Sequence, residues 1–263
     1  MNQPFFSIIT CTYNSWDFIN KNLWSIETQT CRDFEHIFID GYSSDSTLDV
    51  LHAYKKHKNY VHIYQSNPQW ISNAMNEWIS MATWKYIIHL HSDDSFFNRH
   101  SLQKCKEFLL KRPDLDRIYG KIVMIEKDST IIGQFPNQSV FQINKWQNWK
   151  KYLLKYVNFI PHQATCIRKD VFSRFGNFDE SLSYAMDYDL WLRLRLKTNF
   201  SFIDTKVSKF MIRSWAQSTW KENQKANKKV LLKVLKKHLN IFEYPIFLVV
   251  NYLIWLKMKK YIR

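Results

Sequence analysis

Tyr86-Ile87-Ile88-His89-Leu90-His91-Ser92-Asp93-Asp94 is an apolar run that ends on two adjacent acids. The run up to Leu90 reads as a buried strand. Neighbouring carboxylates repel, so the pair needs a reason to sit together. A hard divalent cation is one, since it prefers oxygen ligands and completes its shell with phosphates. In isolation the pair reads also as an Asp-rich turn or a helix N-cap, with Ser95 or Asp94 capping whatever follows.

Upstream, the chain alternates strand and helix signals. Phe5 to Cys11, Phe34 to Ile39 and Tyr60 to Tyr64 are rich in β-branched and aromatic residues. Between them, Trp16 to Ile26 sets Ile19, Leu23 and Ile26 on one helical face, with Asn14 or Ser15 placed to cap it. Ser44 to Tyr54 and Asn73 to Met81 are helical. This alternation predicts an α/β fold with a mainly parallel sheet flanked by helices. Ligands of such sheets gather at the carboxyl ends of strands. Those ends read Thr10-Cys11-Thr12-Tyr13-Asn14, Asp40-Gly41-Tyr42-Ser43-Ser44-Asp45 and His91-Ser92-Asp93-Asp94, all polar. After Leu115 the alternation weakens. Ile118 to Ile125 and Thr165 to Arg168 remain strand-like, and Tyr188 to Leu196 is helical after Ala185-Met186-Asp187.

At 263 residues the chain has ample length for a core. Cys11, Cys31, Cys105 and Cys166 form no C-x-x-C pair, which suits a reducing compartment better than a disulfide or zinc framework. No basic region precedes Phe5-Phe6-Ser7-Ile8-Ile9, so cytoplasm is the expected compartment. The net charge of +15 is uneven: from Thr205 onward 14 basic residues face two acids, whereas 24 face 21 before it. A near-neutral domain therefore carries a basic tail, and such tails seek anionic surfaces.

Several motifs, in order, resemble family 2 glycosyltransferases. They are Ser7-Ile8-Ile9-Thr10 with Thr12-Tyr13-Asn14, Ser25-Ile26, Gln29-Thr30, the stretch from Phe34 to Gly41, and Ser43 with Ser44-Asp45-Ser46-Thr47. Asn73-Ala74-Met75-Asn76, Ser92-Asp93-Asp94, and Gly176-Asn177-Phe178-Asp179-Glu180 leading to Asp187-Tyr188-Asp189-Leu190-Trp191-Leu192-Arg193 complete the set. The resemblance covers roughly residues 5 to 200.

It implies a GT-A (Rossmann-like) domain over 1–204, with a nucleotide-sugar half to about residue 115 and an acceptor half over 116–204. The implied reaction is inverting transfer from a nucleotide sugar, a UDP-sugar first, to a glycan or polyprenyl-linked acceptor. Thr10, Tyr13 and Asn14 would cradle the nucleoside, Asp40 would accept a hydrogen bond from the base, and Ser43 and Asp45 would complete the pocket. Asn76 and Ser92 join that donor set. Asp93 and Asp94 would hold Mn²⁺ or Mg²⁺ against the diphosphate, with His91 a further candidate ligand. Asp187 would be the general base, although locally it reads equally as a helix cap. His162 and Gln163 match a feature on the acceptor or leaving-group side. Trp191 and Leu192 read as core, and Arg193 as half of an ion pair.

The sequence also departs from the family pattern. Amides stand at Gln69 and Asn73 where acids are common, Trp70-Ile71 replaces a Gly-containing stretch, and His91 opens the metal motif. Ser214-Trp215-Ala216-Gln217-Ser218 replaces a Gly-Gly-x-Ser signal. These changes keep open a sugar-nucleotide-binding protein with weak or lost catalysis. A nucleotidyltransferase of related fold would need a Gly-rich, basic loop near the N-terminus, and none is visible.

The tail, 205–263, contains a basic amphipathic helix: Leu231, Leu235 and Leu239 line one face, and Lys229, Lys233 and Lys237 another. Ile241 to Leu256 is apolar except for Glu243, Pro245 and Asn251. At ~16 residues it reaches only ~24 Å, short of the ~30 Å hydrocarbon core. The expectation is peripheral attachment to the anionic inner face of the cell membrane, the competing reading being helices packed on the domain or in a dimer. No nucleic-acid-binding motif accompanies the basic residues.

Overall fold

The computed structural model describes residues 5–67, 71–136, 147–212 and 224–259. Strands β1 (Phe6–Thr12), β2 (Phe34–Asp40), β3 (Val61–Gln65) and β4 (Tyr86–His89) alternate with helices α1 (Trp16–Glu27), α2 (Thr47–Lys55) and α3 (Ile71–Met81). The second half adds β5 (Ser95–Phe96), α4 (Ser101–Lys111), β6 (Arg117–Ile125), β7 (Ile131–Phe135) and α5 (Gln147–Leu153). A 3₁₀ turn (His162–Ala164), β8 (Thr165–Arg168), α6 (Asp170–Phe175), α7 (Met186–Leu194), β9 (Phe200–Met211), α8 (Gln224–His238) and α9 (Glu243–Lys259) complete the order.

The described strands form one sheet in the order β3-β2-β1-β4-β8-β6-β9-β5, with β7 on β6. Pairing is parallel from β3 to β4 and between β6 and β9. It is antiparallel where β8 joins β4 and β6, and where β5 meets β9. Parallel strands need crossover helices, so both faces of the first half are covered.

Side-chain alternation divides the core. Ile9, Ile37 and Ile39 face one layer, packed with Trp78 and Ile79 of α3 and Leu190 and Trp191 of α7. Phe6 and Ile8 point the other way, toward Ile26 of α1 and Leu102 and Leu109 of α4. Trp191 and Leu192 are core, as expected. All four cysteines are free thiols.

Three local readings are corrected. Ser15 holds the N-cap position of α1 but makes no capping bond, because its hydroxyl pairs elsewhere. Neither Asp94 nor Ser95 caps a helix, since a short strand comes next. Strand β9 runs through residues 204 and 205, so the sheet continues past the point where the charge changes. The basic segment also does not hang free: Val234, Leu235 and Leu239 of the α8 segment are buried in the larger core. Among the described residues no helix is long and apolar enough to cross a membrane.

Candidate functional site

The carboxyl ends of β1, β2 and β4 are tied to one another by short polar contacts. The Asn14 N–H donates to Ser43 Oγ at 2.9 Å, and the Ser44 N–H donates to Asn14 Oδ1 at 2.9 Å. Ser15 Oγ meets Ser92 Oγ at 2.9 Å, and the Ser15 N–H donates to Thr47 Oγ1 at 2.7 Å. These bonds hold two residues in the left-handed region, Asn14 (φ 46°) and Tyr42 (φ 60°). Non-glycine residues pay a conformational cost there, and such strain clusters at ligand sites. The result is a rim carrying two aromatic rings, Tyr13 at 67 % and Tyr42 at 57 % exposure. Gly41 lets the Tyr13 ring lie close, since a Cβ there would stand 3.3 Å from Tyr13 Cδ2.

The expected nucleoside residues divide between rim and scaffold. Tyr13 and Asn14 are on the rim. Thr10 is fully buried, its hydroxyl donating to the Leu90 carbonyl at 2.7 Å and meeting His36 Nε2 at 2.9 Å. Asp40 is also fully buried and accepts from Thr12 Oγ1, the Ser43 N–H and Ser43 Oγ at 2.6–2.9 Å. Its carboxylate thus folds the β2 loop from beneath. Asp45 accepts from the Thr47 and Trp16 N–H groups, and these bonds outweigh its slight burial and hold it below the usual carboxylate range. Asn76 lies away from the rim: it donates to the Phe178 carbonyl and to Glu180, and accepts from the Phe178 N–H, each at 2.9 Å. With Asn73 donating to Glu180, it clamps the loop leading toward α7 onto α3.

The Asp93-Asp94 turn is fastened from α1. Asn22, fully buried, donates to the carbonyls of His91 at 2.9 Å and Asp94 at 3.0 Å. The two acids part company in this turn: Asp93 is half-buried, whereas Asp94 is 1 % exposed. The carboxylate that a cation can reach from solvent is therefore that of Asp93, with the half-buried His91 beside it, and Asp94 faces inward. An oxygen ligand plus an imidazole suits Mn²⁺ better than Mg²⁺. Among the described residues no group of three or more His, Cys, Asp or Glu side chains converges as a metal cage. A cation here would depend on a substrate to complete its shell.

Three imidazoles connect this turn to α7. His162 stacks between His89 (5.0 Å between centroids) and His91 (5.6 Å), and its ring lies 6.5 Å from that of Trp191. Burial pushes His162 down to about 3 and His89 well below its usual value, and the neighbouring imidazoles add to both effects. Both are therefore neutral at physiological pH. Neither ring nitrogen of His162 has a hydrogen-bond partner among the described residues. Gln163 sits half-buried beside it in the same 3₁₀ turn.

Asp187 lies one helical turn before Trp191, on the same side of α7. It is not the N-cap. Ala185 holds that position at φ 56°, and Asp187 Oδ1 accepts the Tyr188 N–H at 2.8 Å. Burial raises its carboxyl above the ordinary value, against that hydrogen bond. Asp189 is the opposite case. It is 0 % exposed and receives Arg193 Nε at 2.9 Å, Lys237 Nζ at 2.9 Å and His238 Nε2 at 2.8 Å. Burial alone would raise it, but hydrogen bonds from His238, Lys237 and Arg193 together hold it well below the carboxylate range. Environment thus separates two acids two residues apart: a basic carboxylate at 187 and a structural one at 189.

Sequence reasoning missed Asn22, Tyr42, His89 and the Lys237–His238 grip. Tyr42 was within reach, in a Gly-Tyr-Ser-Ser loop at a strand end. The others depend on contacts 48 to 73 residues apart in the chain and carry no local signal. Gln69, Trp70 and the segment Ser214–Ser218 lie outside the described residues.

Residues 7–176 match the model of glycosyl transferase family 2. A PGL/p-HBAD biosynthesis glycosyltransferase of Mycobacterium bovis (strain BCG / Pasteur 1173P2) is 28% identical over 195 residues, covering 73% of this chain and 70% of its own. TuaG of Bacillus subtilis (strain 168), named for teichuronic acid biosynthesis, is 30% identical over 134 residues, 51% of this chain and 52% of its own. Two solved structures share the fold. Staphylococcus aureus TarS 1-349 in complex with UDP-GlcNAc superposes with a TM-score of 0.68 at 19% identity, over 88% of this chain and 65% of TarS 1-349, just under two thirds. Mannosyltransferase PcManGT from Pyrobaculum calidifontis, in complex with GDP-Man and Mn²⁺, gives 0.68 at 13% identity, over 96% and 70%.

Proposed function

The chain belongs to glycosyl transferase family 2, and from that premise we propose that it is an inverting enzyme of surface polysaccharide or glycolipid synthesis. It would move a sugar from a nucleotide-sugar donor, a UDP-sugar first, to a hydroxyl of a glycan or lipid-linked acceptor. The observation that carries this reading is the cross-tied rim at β1, β2 and β4, where Tyr13 and Tyr42 are exposed and half-buried Asp93 follows Ser92, the partner of Ser15. The sugar nucleotides held by TarS and PcManGT support the donor class. The names of the mycobacterial and Bacillus relatives support a cell-surface product.

In this reading Tyr13 and Tyr42 stack on the nucleobase, and the serine and asparagine loops set its depth. Asp93, with His91 beside it, would hold a divalent cation, as the Mn²⁺ of PcManGT suggests. When bound, such a cation offsets the charge of the diphosphate and stabilises it as a leaving group. Asp187 accepts the proton of the attacking hydroxyl, and its raised pKa suits it to that task. Neutral His162, whose ring nitrogens have no hydrogen-bond partner among the described residues, orients the acceptor or leaving group. Asn73 and Asn76 keep the acceptor half in register by clamping Glu180. Attachment to the anionic inner face of the cell membrane through the C-terminal segment completes the proposal.

A thermal-shift screen of nucleotide sugars, with and without Mn²⁺, tests it. A donor at a hundred times its dissociation constant stabilises by about 2.7 kcal/mol. Asp187→Asn is expected to keep that shift and lose transfer by roughly 10²-fold or more. No shift with any nucleotide removes the donor reading. Full transfer by Asp187→Asn removes the base.

A further inference from the structure

The helix α9 is apolar on both sides. Its inner face packs Tyr244, Phe247 and Val250 against the larger core. Asn251 Nδ2 donates to the Tyr156 carbonyl at 2.8 Å, and Glu243 pairs with Lys155. Its outer face exposes Ile246, Leu248, Val249, Tyr252 and Leu253, and Phe242 precedes them in the adjoining turn. At 100° per residue the helical members span an arc of about 160°, and between residues 243 and 253 no charge falls in it. A surface helix normally turns its polar side to water, and an apolar patch of this kind marks a docking face.

We infer that this face is an in-plane docking surface for an anionic lipid bilayer. The inference rests on the transferase reading and its lipid-linked acceptor. Charge selects the occupant. The neighbouring α8 segment, 224–239, holds six lysines and no acid, and Lys225, Lys228, Lys229 and Lys236 are exposed along it. A second copy seated on α9 would bring two such helices together and set lysine against lysine. Anionic headgroups supply the opposite charge, and the acyl boundary takes the apolar residues. Length selects the mode: the 17 residues of α9 rise ~25 Å, short of the ~30 Å needed to span.

The docking unit is bonded to the helix that carries Asp187. Lys237 and His238 close the end of α8 onto Asp189 of α7, the helix that carries Asp187. Seating α9 in the headgroup layer would therefore fix the height and tilt of Asp187 above the membrane. A lipid-borne acceptor would meet it in one orientation.

Flotation of the full chain with vesicles tests this directly. Phosphatidylcholine vesicles containing about 30 mol% phosphatidylglycerol are expected to carry the protein, and pure phosphatidylcholine vesicles to carry much less. Raising salt from about 0.1 M to about 1 M weakens the binding. The exposed double variant Val249→Glu/Leu253→Glu is expected to lose more than about tenfold in bound fraction, with a Tm within about 2 °C of the parent. No flotation, or equal flotation by the variant, overturns the inference. So does a solution dimer that the variant dissolves, which would assign the face to a second copy. Flotation needs no donor, so its failure is distinguishable from the absence of a nucleotide shift, which would strike the transferase reading instead.

Discussion

Replacing Asp189 with asparagine removes one negative charge from the point where Arg193, Lys237 and His238 meet. Asparagine keeps the shape and one acceptor oxygen, so the loss is mainly electrostatic. Breaking a buried ion pair by removing one partner costs about 3–5 kcal/mol, because the remaining charge is left uncompensated. Lys237 is 46% exposed and regains water, whereas the Arg193 guanidinium at 20% regains little. The expected loss is therefore near the lower limit, about 3 kcal/mol. For a chain of this size that is a fall of roughly 6–12 °C in Tm. Urea unfolding followed by tryptophan fluorescence measures it. The pH dependence supplies an internal check. The native Asp189 carboxyl is held below the usual range, so its stabilisation is complete above the unfolded value of about 3.9 and is lost as pH falls through the native value. The gap between parent and variant is expected to narrow as pH falls below about 4. A loss under about 1 kcal/mol at pH 7, or a gap that does not narrow below about pH 4, would refute the reasoning.

Three other outcomes are expected. Gly120→Ala in β6 would place a Cβ against Val207 Cγ2 and 2.8 Å from the Thr205 carbonyl oxygen; overpacking of this kind costs about 1–3 kcal/mol, read as a lower urea midpoint. Burial pushes His36 down to about 3, so below about pH 6.5 the unfolded state binds a proton that the native state refuses. Each pH unit on the acid side then costs about 1.4 kcal/mol at this site. Urea titrations at pH 7 and 5.5 are expected to show a shallower acid slope for His36→Gln, and parallel slopes would count against the assignment. Tyr13→Ala and Tyr42→Ala are each expected to weaken UDP binding roughly 5- to 150-fold by calorimetry, the range for losing one base–aromatic stack, while Tm stays close to the parent because both rings are exposed.

The parallel half of the sheet was legible because its signals are local. Each strand from Phe6 to His89 is a short β-branched or aromatic run, and each helix between them carries its apolar residues at helical spacing. The strand-end loops came with that alternation. The second half was harder to read. Strand β9 crosses a rise in positive charge and carries Asp204, Lys206 and Lys209, so no clean alternation marks it. It forms because β6 pairs with it over nearly its whole length. The short strand β5 is only two residues long, too few to show any periodicity.

Local sequence was enough for the sheet class, the three polar strand ends, the pairing of Arg193, and the basic character of the C-terminal segment. Each is written in composition, period or motif order within about twenty residues. Which acids face outward was settled by folding. Asp93 and Asp94 are neighbours of identical chemistry, yet Asn22, fixing the turn from α1, leaves one half-buried and the other enclosed. Asp187 and Asp189 are likewise equivalent in sequence, until Lys237 and His238 of α8, nearly fifty residues away, claim Asp189 and leave Asp187 to burial. A side chain's burial and charge partners are set by segments distant in the chain, and those long-range contacts exist only once the chain has folded.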